Sequence, residues 1–225
     1  EDLVVCMNNQ WGVFRETFSS PQTFTDEVSL REDVFGITGE KTDEVTGQIL
    51  SAAEQFRQRL LNPQNRTTSG GVSLRFATSV SPGNGLWSSG VCNDQIASIS
   101  VKILGNGLGD DQARVRLTQG QALLMRSCEA VRNDDANDII QHYQLPESES
   151  NEVSAGINSY PADSDFQFFG RPVGASEWVL ELPSGNETPT NSDIDVTQIE
   201  DIVLSVNHRA ISLGVSPRPF TPNCN

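Results

Sequence analysis

The stretch VKILGNGLGDDQARVRL, Val101 to Leu117, decides the fold class. Apolar and polar residues alternate on both sides of a centre that holds three glycines, spaced two positions apart, and then two aspartates. Alternation with a period of two, bounded by Gly, Asn and Asp, indicates half-buried β-strands. Glycines supply the positive φ angles that a turn needs. The pattern therefore predicts two strands joined as a hairpin.

These glycines do not form a phosphate-binding loop. A strand pattern follows them, whereas a phosphate cradle requires the N-terminus of a helix at that point. Asp110 and Asp111 would also repel a phosphate. Two interpretations of this pair stay open: turn residues that face solvent, or calcium ligands.

The same alternation recurs along the chain, with few helical segments between the alternating runs. Such spacing predicts a mainly β fold, an antiparallel β-sandwich of the jelly-roll kind. The alternating runs are WGVFRETF, GVSLRFATS, ASISVKIL, ARVRLTQ, EWVLEL, DIVLSVN and AISLGV.

One segment, SAAEQFRQRLLNPQ, has helical spacing instead. Ser51 and Glu54 have the spacing of a capping box, and Pro63 ends the pattern. The sequence therefore predicts a short helix over residues 52–61. The apolar residues of its buried face are Ala53, Phe56 and Leu60.

The chain shows no internal repeat and no sharp break in composition, so we expect one domain over residues 1–225. Residues 1–70 would be an irregular N-terminal part with an edge strand and the helix. Residues 71–213 would form the main sandwich, and 214–225 a C-terminal tail. The polar segment 146–165, with two prolines, is predicted to be a long surface loop.

Composition excludes several classes of partner. The net charge is −15, so nucleic acids and anionic membrane surfaces would be repelled. No window approaches the ~18 consecutive apolar residues that a membrane-spanning helix requires. The sequence indicates a soluble protein with many turns.

Four cysteines are widely spaced and form no C-x-x-C pair, which argues against zinc ribbons and thioredoxin-type sites. An even number favours two disulfides and a secreted or cell-surface location. Three connectivities are possible, and four buried free thiols remain the alternative. The preferred pairing is Cys92–Cys128 with Cys6–Cys224.

Calcium is the one candidate cofactor, and the sequence does not require it. Asp163 with Asp165, and Asp193 with Asp195, have a D-x-D spacing that supplies two oxygen ligands from one extended segment. No EF-hand pattern is present. Carboxylates that face water are the alternative at each pair.

Catalytic motifs are scarce, so we expect no enzyme activity. The G-x-S-x-G and H-E-x-x-H patterns are absent, and the two histidines, His142 and His208, are far apart in sequence. Each is expected to be structural or exposed. A hydrolase that uses paired carboxylates stays open as a third class, because it needs no histidine.

Two tryptophans have different contexts. Trp178 is in phase with the apolar residues of EWVLEL and is expected in the core. Trp87 lies in the turn-rich stretch SPGNGLWSSGV, where an exposed ring would offer a surface for a sugar. This residue supports the alternative function, a carbohydrate-binding module assisted by calcium.

Three stretches carry a resemblance to a known family: SLREDVFGIT…SAAEQFRQRLLNP, then VSLRFATSVSPGNGLWSSGVCNDQIASISVKILGNGLGDDQARVRLTQ, then FFGRPVGASEWVLELPSG…NSDIDVTQIEDIVLSVNHRA. Together, over residues 29–213, they resemble the C-terminal β-sheet-containing region of large exported bacterial proteins. These include the A component of Tc-type insecticidal toxins and related giant extracellular proteins. The resemblance implies a non-enzymatic structural or docking module and identifies no catalytic residues.

The leading hypothesis is an extracellular, non-catalytic structural or protein-interaction module, part of a larger assembly or a self-assembling subunit. The expected partners are other proteins or further copies, with glycans for the alternative function. The N-terminal run, residues 1–18, is edge-like. It would either pair within its own sandwich or add to a neighbouring subunit as an extra strand.

Overall fold

The computed structural model describes residues 21–80, 86–87, 90–108, 112–129, 140–162 and 164–212. This part of the chain is mainly β and sandwich-like, which confirms the predicted fold class. The helix α1 spans Ala52–Leu61. The strands are β1 Gln22–Ser29, β2 Lys41–Thr42, β3 Ile49–Leu50, β4 Val72–Thr78, β5 Val91–Gly105, β6 Gln112–Gln119, β7 Ala122–Arg126, β8 Ile140–Gln144, β9 Asn151–Ile157, β10 Gly174–Leu182 and β11 Ile199–Ser212.

Nine strands form one sheet in the order β1-β11-β5-β9-β6-β10-β7-β8, with β4 paired to β10. The short strands β2 and β3 form a separate hairpin. Most neighbours are antiparallel, as expected, but β5 and β9 are parallel, with Val101 opposite Ala155. The sheet is therefore mixed.

The sheet curls, so strands that are distant in its order come together. A disulfide joins Cys92 of β5 to Cys128, just after β7, although three strands separate β5 from β7 in the sheet. Phe168, which lies beside β5, packs on Trp178 of β10 with ring centroids 5.3 Å apart. The apolar faces of the curled sheet consequently enclose one core, as in a sandwich.

The predicted hairpin between β5 and β6 is wrong, and so is the predicted loop over 146–165. The strand β9 lies inside that segment and inserts between β5 and β6. Gly107 has the expected positive φ of 69°. Gly105 serves close packing instead, because a Cβ there would lie 2.2 Å from the carbonyl oxygen of Gln198.

The helix α1 has the predicted bounds. The hydroxyl of Ser51 accepts a hydrogen bond from the Glu54 amide, and the Glu54 carboxylate accepts one from the Ser51 amide. Phe56 and Leu60 are fully buried. The helix packs on β11, where Arg57 donates a hydrogen bond of 3.2 Å to a backbone carbonyl.

The edge strand β1 pairs with β11 along its whole length, from Gln22 opposite Ala210 to Ser29 opposite Val203. Its buried Val28 belongs to the same core as the apolar residues of the central strands. The N-terminal run, residues 1–18, lies outside the described residues. The division of the chain at residue 70 and the tail 214–225 stay predictions.

Candidate functional site

An aromatic turn follows β9 and presents two rings to solvent. We call residues Phe166–Phe169 the aromatic turn. Phe166 is 67% exposed and Phe169 is 58% exposed, whereas Phe168 between them is fully buried. The guanidinium of Arg209, on β11, lies 5.4 Å from the centre of the Phe169 ring. The exposed face therefore combines two aromatic rings with a cation.

Backbone hydrogen bonds fasten both ends of the aromatic turn to β5. Asp165 and Ile99 exchange two bonds of 2.8 and 2.9 Å, and the Gly170 amide donates to the carbonyl of Ile96 at 2.8 Å. Arg171 donates to the side chain of Gln119 at 2.5 Å, and burial lowers the pKa of this arginine. The turn is thus a rigid projection of the sheet.

A row of four ionisable side chains lies on the inner face of the sheet, on strands β1, β11, β5 and β7. Arg126 on β7 makes two hydrogen bonds to Asp94 on β5, of 2.9 and 2.5 Å. His208 on β11 lies between two carboxylates: its Nε2 is 2.8 Å from Asp26 on β1, and its Nδ1 is 3.6 Å from Asp94. We call Asp26, His208, Asp94 and Arg126 the buried network. It links four strands through side chains alone.

The buried network encloses one of the two histidines and leaves the other outside. Asp94 and His208 have no solvent exposure, so a substrate has no access to the imidazole. His142 lies on the exposed side of β8, outside the network. A structural role for His208 follows from this geometry.

Trp87 is buried, which corrects the expectation of an exposed ring. Only 9% of the residue is exposed, and its ring packs edge-on against His208 with centroids 5.8 Å apart. A sugar would need an open ring face, which a buried tryptophan does not offer. Trp178 is in the core as predicted, at 4% exposure.

The disulfide adjoins the buried network on both strands. Cys92 lies two residues before Asp94, and Cys128 lies two residues after Arg126, with a Cα–Cα distance of 5.0 Å between the cysteines. This disulfide is one of the two that the preferred connectivity contains, and it confirms that half of the prediction. Cys6 and Cys224 lie outside the described residues.

The candidate calcium ligands are not brought together in the described residues, where no group of three or more metal-ligating side chains occurs. Asp195 instead caps a 3₁₀ turn, because hydrogen bonds from Thr197 hold its carboxylate and lower its pKa. Asp193 is exposed, and Asp165 accepts a bond from the Ser154 amide. The remaining candidates lie outside the described residues: Asp110, Asp111 and Asp163.

A cleft of about 280 Å³ opens at the far end of β10. Its walls come from the end of α1, from the 66–71 turn, from residues 182–185 and from residues 191–197. Arg66 and Ser184 line it, and each has a buried polar atom without a hydrogen-bond partner. This combination is unusual because buried polar groups are nearly always paired.

No helix within the described ranges is long and apolar enough to cross a membrane. No family model matches the chain, and no curated protein matches it. One solved structure to which the chain has some similarity is the cryo-EM structure of Yersinia pseudotuberculosis TcaA–TcaB, at 15% identity and a TM-score of 0.42. The likeness covers 86% of this chain and 10% of that chain.

The sequence patterns did not predict the residues that stand out in the structure. The run FQFF was a signal for the aromatic turn, because three phenylalanines so close together in a polar segment cannot all face the core. Arg66 lies between Asn65 and Thr67 in a polar turn, which gave no sign of a cleft. The pairing of Asp94 with Arg126 had no local signal, because the two residues are 32 positions apart.

Proposed function

We propose that this chain is a non-catalytic, extracellular protein-interaction module that binds its partner through the aromatic turn. The observation that carries the proposal is the exposure of Phe166 and Phe169 on a backbone tied to β5. Isolated exposed apolar residues are common, but two aromatic rings beside an arginine have the composition of interface hot spots.

The energetics favour binding at this place. Full burial of a phenylalanine side chain contributes about 1.5–3 kcal/mol. Because hydrogen bonds already hold the aromatic turn, a partner would not have to order its backbone, and this ordering is a major cost of association. The nearby Arg209 can add a directional contact to a partner carbonyl or carboxylate.

Two further observations support the extracellular location and the non-catalytic role. The disulfide Cys92–Cys128 is compatible with an oxidising, extracellular location. The most enclosed titratable groups, Asp94 and His208, are engaged with one another and with Arg126, which favours a structural role over catalysis. The carbohydrate-binding alternative loses its main support, because Trp87 is buried.

The test is site-specific photo-crosslinking. A photoreactive phenylalanine analogue replaces Phe166 or Phe169, and the same analogue at the exposed Glu187 is the control. One arm uses the purified chain alone, which detects self-assembly. The other arm uses the assembly or culture in which the protein is produced, and mass spectrometry maps the crosslinked peptides.

We expect an adduct at one mapped surface from positions 166 and 169, and none from position 187. The adduct from position 166 should weaken when Phe169→Ser is added to the same chain. Equal or absent crosslinking from all three positions in both arms would contradict the proposal.

A further inference from the structure

The cleft at the end of β10 contains a cation without a counter-ion. Arg66 is partly buried, and its Nη2 donates to the carbonyl of Gly70. Its Nη1 is buried and has no acceptor. Although the chain has 30 acidic residues, no described carboxylate forms an ion pair with Arg66, whereas five other arginines have one. A partly buried charge of this kind is costly unless an anion completes it.

A second unpaired group lines the same cleft. The hydroxyl oxygen of Ser184 is buried without a partner. The 66–71 turn and the end of β10 are in close backbone contact at Gly71. A Cβ on this residue would lie only 2.7 Å from the carbonyl oxygen of Leu182. The 66–71 turn therefore rests directly on the end of β10.

The remaining walls are suited to a ligand with an apolar part. Leu61, Leu182, Ile194 and Val196 line the cleft. Asp195 is the one acidic residue among the described lining residues, and the Thr197 amide and hydroxyl bind its carboxylate at 2.9 and 2.7 Å. These bonds hold the Asp195 carboxylate to Thr197, and it forms no ion pair with Arg66.

We propose that this cleft binds a carboxylate group attached to a short aliphatic chain. A carboxylate matches the planar fork of the Arg66 guanidinium, and the Ser184 hydroxyl can donate to the same group. A phosphate with two charges is disfavoured in a chain of net charge −15. Both a free aliphatic acid and the C-terminus of a peptide carry this chemistry.

The test measures binding by ¹⁵N–¹H NMR on the isotopically labelled chain at constant ionic strength. The probes are sodium butyrate, an N-acetylated tripeptide ending in valine, and inorganic phosphate, with chloride as the background anion. The amides of Gly70, Gly71 and Gly185 report on the cleft. We expect saturable shifts from a carboxylate, with a dissociation constant of about 1 mM, and weaker shifts from phosphate.

The two carboxylate probes distinguish the source of the ligand. Tighter binding of butyrate indicates a free acid, and tighter binding of the tripeptide indicates a peptide C-terminus. Absence of saturable shifts at these amides from both probes, up to ~50 mM, would overturn the proposal.

Three variants test the residues. Arg66→Gln should weaken binding about tenfold or more, because it removes the charge-assisted contact. The control Arg75→Gln removes the same charge from an exposed pair with Glu177 and should bind like wild type. Unchanged binding by Arg66→Gln would count against the proposal.

Ser184→Ala covers the case in which Arg66→Gln does not fold. The variant should bind the carboxylate several-fold more weakly, yet its unliganded form should be as stable as wild type or more stable. The reason is that removal of a buried hydroxyl without a partner relieves a desolvation cost. A destabilised Ser184→Ala chain that binds normally would contradict the assignment.

Discussion

Two arginines near opposite ends of the long strands β5 and β11 have opposite surroundings. Arg126 is 6% exposed and is bound by the carboxylate of Asp94, which is itself fully buried. Arg66 is partly buried, yet among the described residues its guanidinium has only a carbonyl oxygen as a partner. Within the described residues, the arginine at one end of the sheet has a carboxylate partner and the arginine at the other end has none.

This difference distinguishes an arginine that stabilises the fold from one that is free to bind a ligand. A buried ion pair does not add much stability over apolar residues of similar shape, but it makes each partner depend on the other. An unpaired arginine in a cleft has no such dependence within the protein. We therefore expect the two arginines to respond oppositely to substitution and to added anions.

Arg126→Met should give the largest effect, a loss of about 3–5 kcal/mol in the free energy of unfolding. The substitution leaves the Asp94 carboxylate buried beside His208 without its cation. Urea denaturation of wild type and variant measures the difference. The double variant Asp94→Leu/Arg126→Met should recover most of the loss, since both charges are then absent. A single variant within ~1 kcal/mol of wild type would contradict the importance of the pair.

Removal of the neighbouring disulfide should have the second largest effect. The double variant Cys92→Ala/Cys128→Ala opens a crosslink between residues 36 positions apart, and the expected loss is about 2–4 kcal/mol. Reduced wild-type protein, unfolded in urea with a thiol present, is the matched comparison. If the double variant were as stable as oxidised wild type, the buried network alone would hold β5 to the end of β7.

The sequence predicted local features well because their causes are local. The bounds of α1 follow from the capping box at Ser51 and from apolar spacing over ten residues. The central strands β5 and β11 have strong alternation and many β-branched residues, so their existence could be predicted without a knowledge of their neighbours.

Strand pairing was not predictable, since it depends on residues far apart in sequence. The strand β9 has the sequence NEVSAGI, in which only Val153 and the last residue are β-branched. Small residues suit this place, because a Cβ on Gly156 would lie 2.2 Å from the carbonyl oxygen of Ser159. A strand of this composition looks like a loop, and without it β5 and β6 look like a hairpin.

The candidate sites could not be predicted from the sequence, because they too depend on contacts between distant residues. Asp94 lies between the polar residues Asn93 and Gln95, and Ser127 follows Arg126, so neither residue is marked in the sequence as a buried charge. Only the curl of the sheet brings the two together inside. Trp87 lies in a stretch rich in turn residues, yet it is packed against His208. Side-chain burial in such stretches is set by the tertiary structure, which the local pattern does not contain.

The cap of α1 predicts a smaller effect that depends on pH. Hydrogen bonds from the Ser51 hydroxyl and amide lower the pKa of Glu54 below its usual 4.5. Because the folded pKa is lower than the unfolded one, the stabilisation is fully present above pH 4.5 and is lost as pH falls through the folded value. Wild type should therefore be more stable than Glu54→Gln at neutral pH, and the difference should shrink in acid.

Thermal unfolding of both chains at several pH values measures this dependence. The control Glu44→Gln changes an exposed carboxylate that is not part of a helix cap. Ser51→Ala should cost about 1 kcal/mol at neutral pH, as is usual for the loss of an N-cap. A difference between wild type and Glu54→Gln that grew in acid would contradict the cap as its source.

Arg66→Met should give the smallest effect in a buffer without carboxylates, a change within about 1 kcal/mol in the free energy of unfolding. The substitution loses the hydrogen bond to Gly70 but also removes a buried donor that has no acceptor. Added butyrate should then stabilise wild type, since a ligand that binds only the folded state raises its stability. The Arg66→Met chain should not respond. If Arg66→Met instead lost about 3 kcal/mol without any ligand, the guanidinium would be structural like that of Arg126, and the contrast between the two ends would not hold.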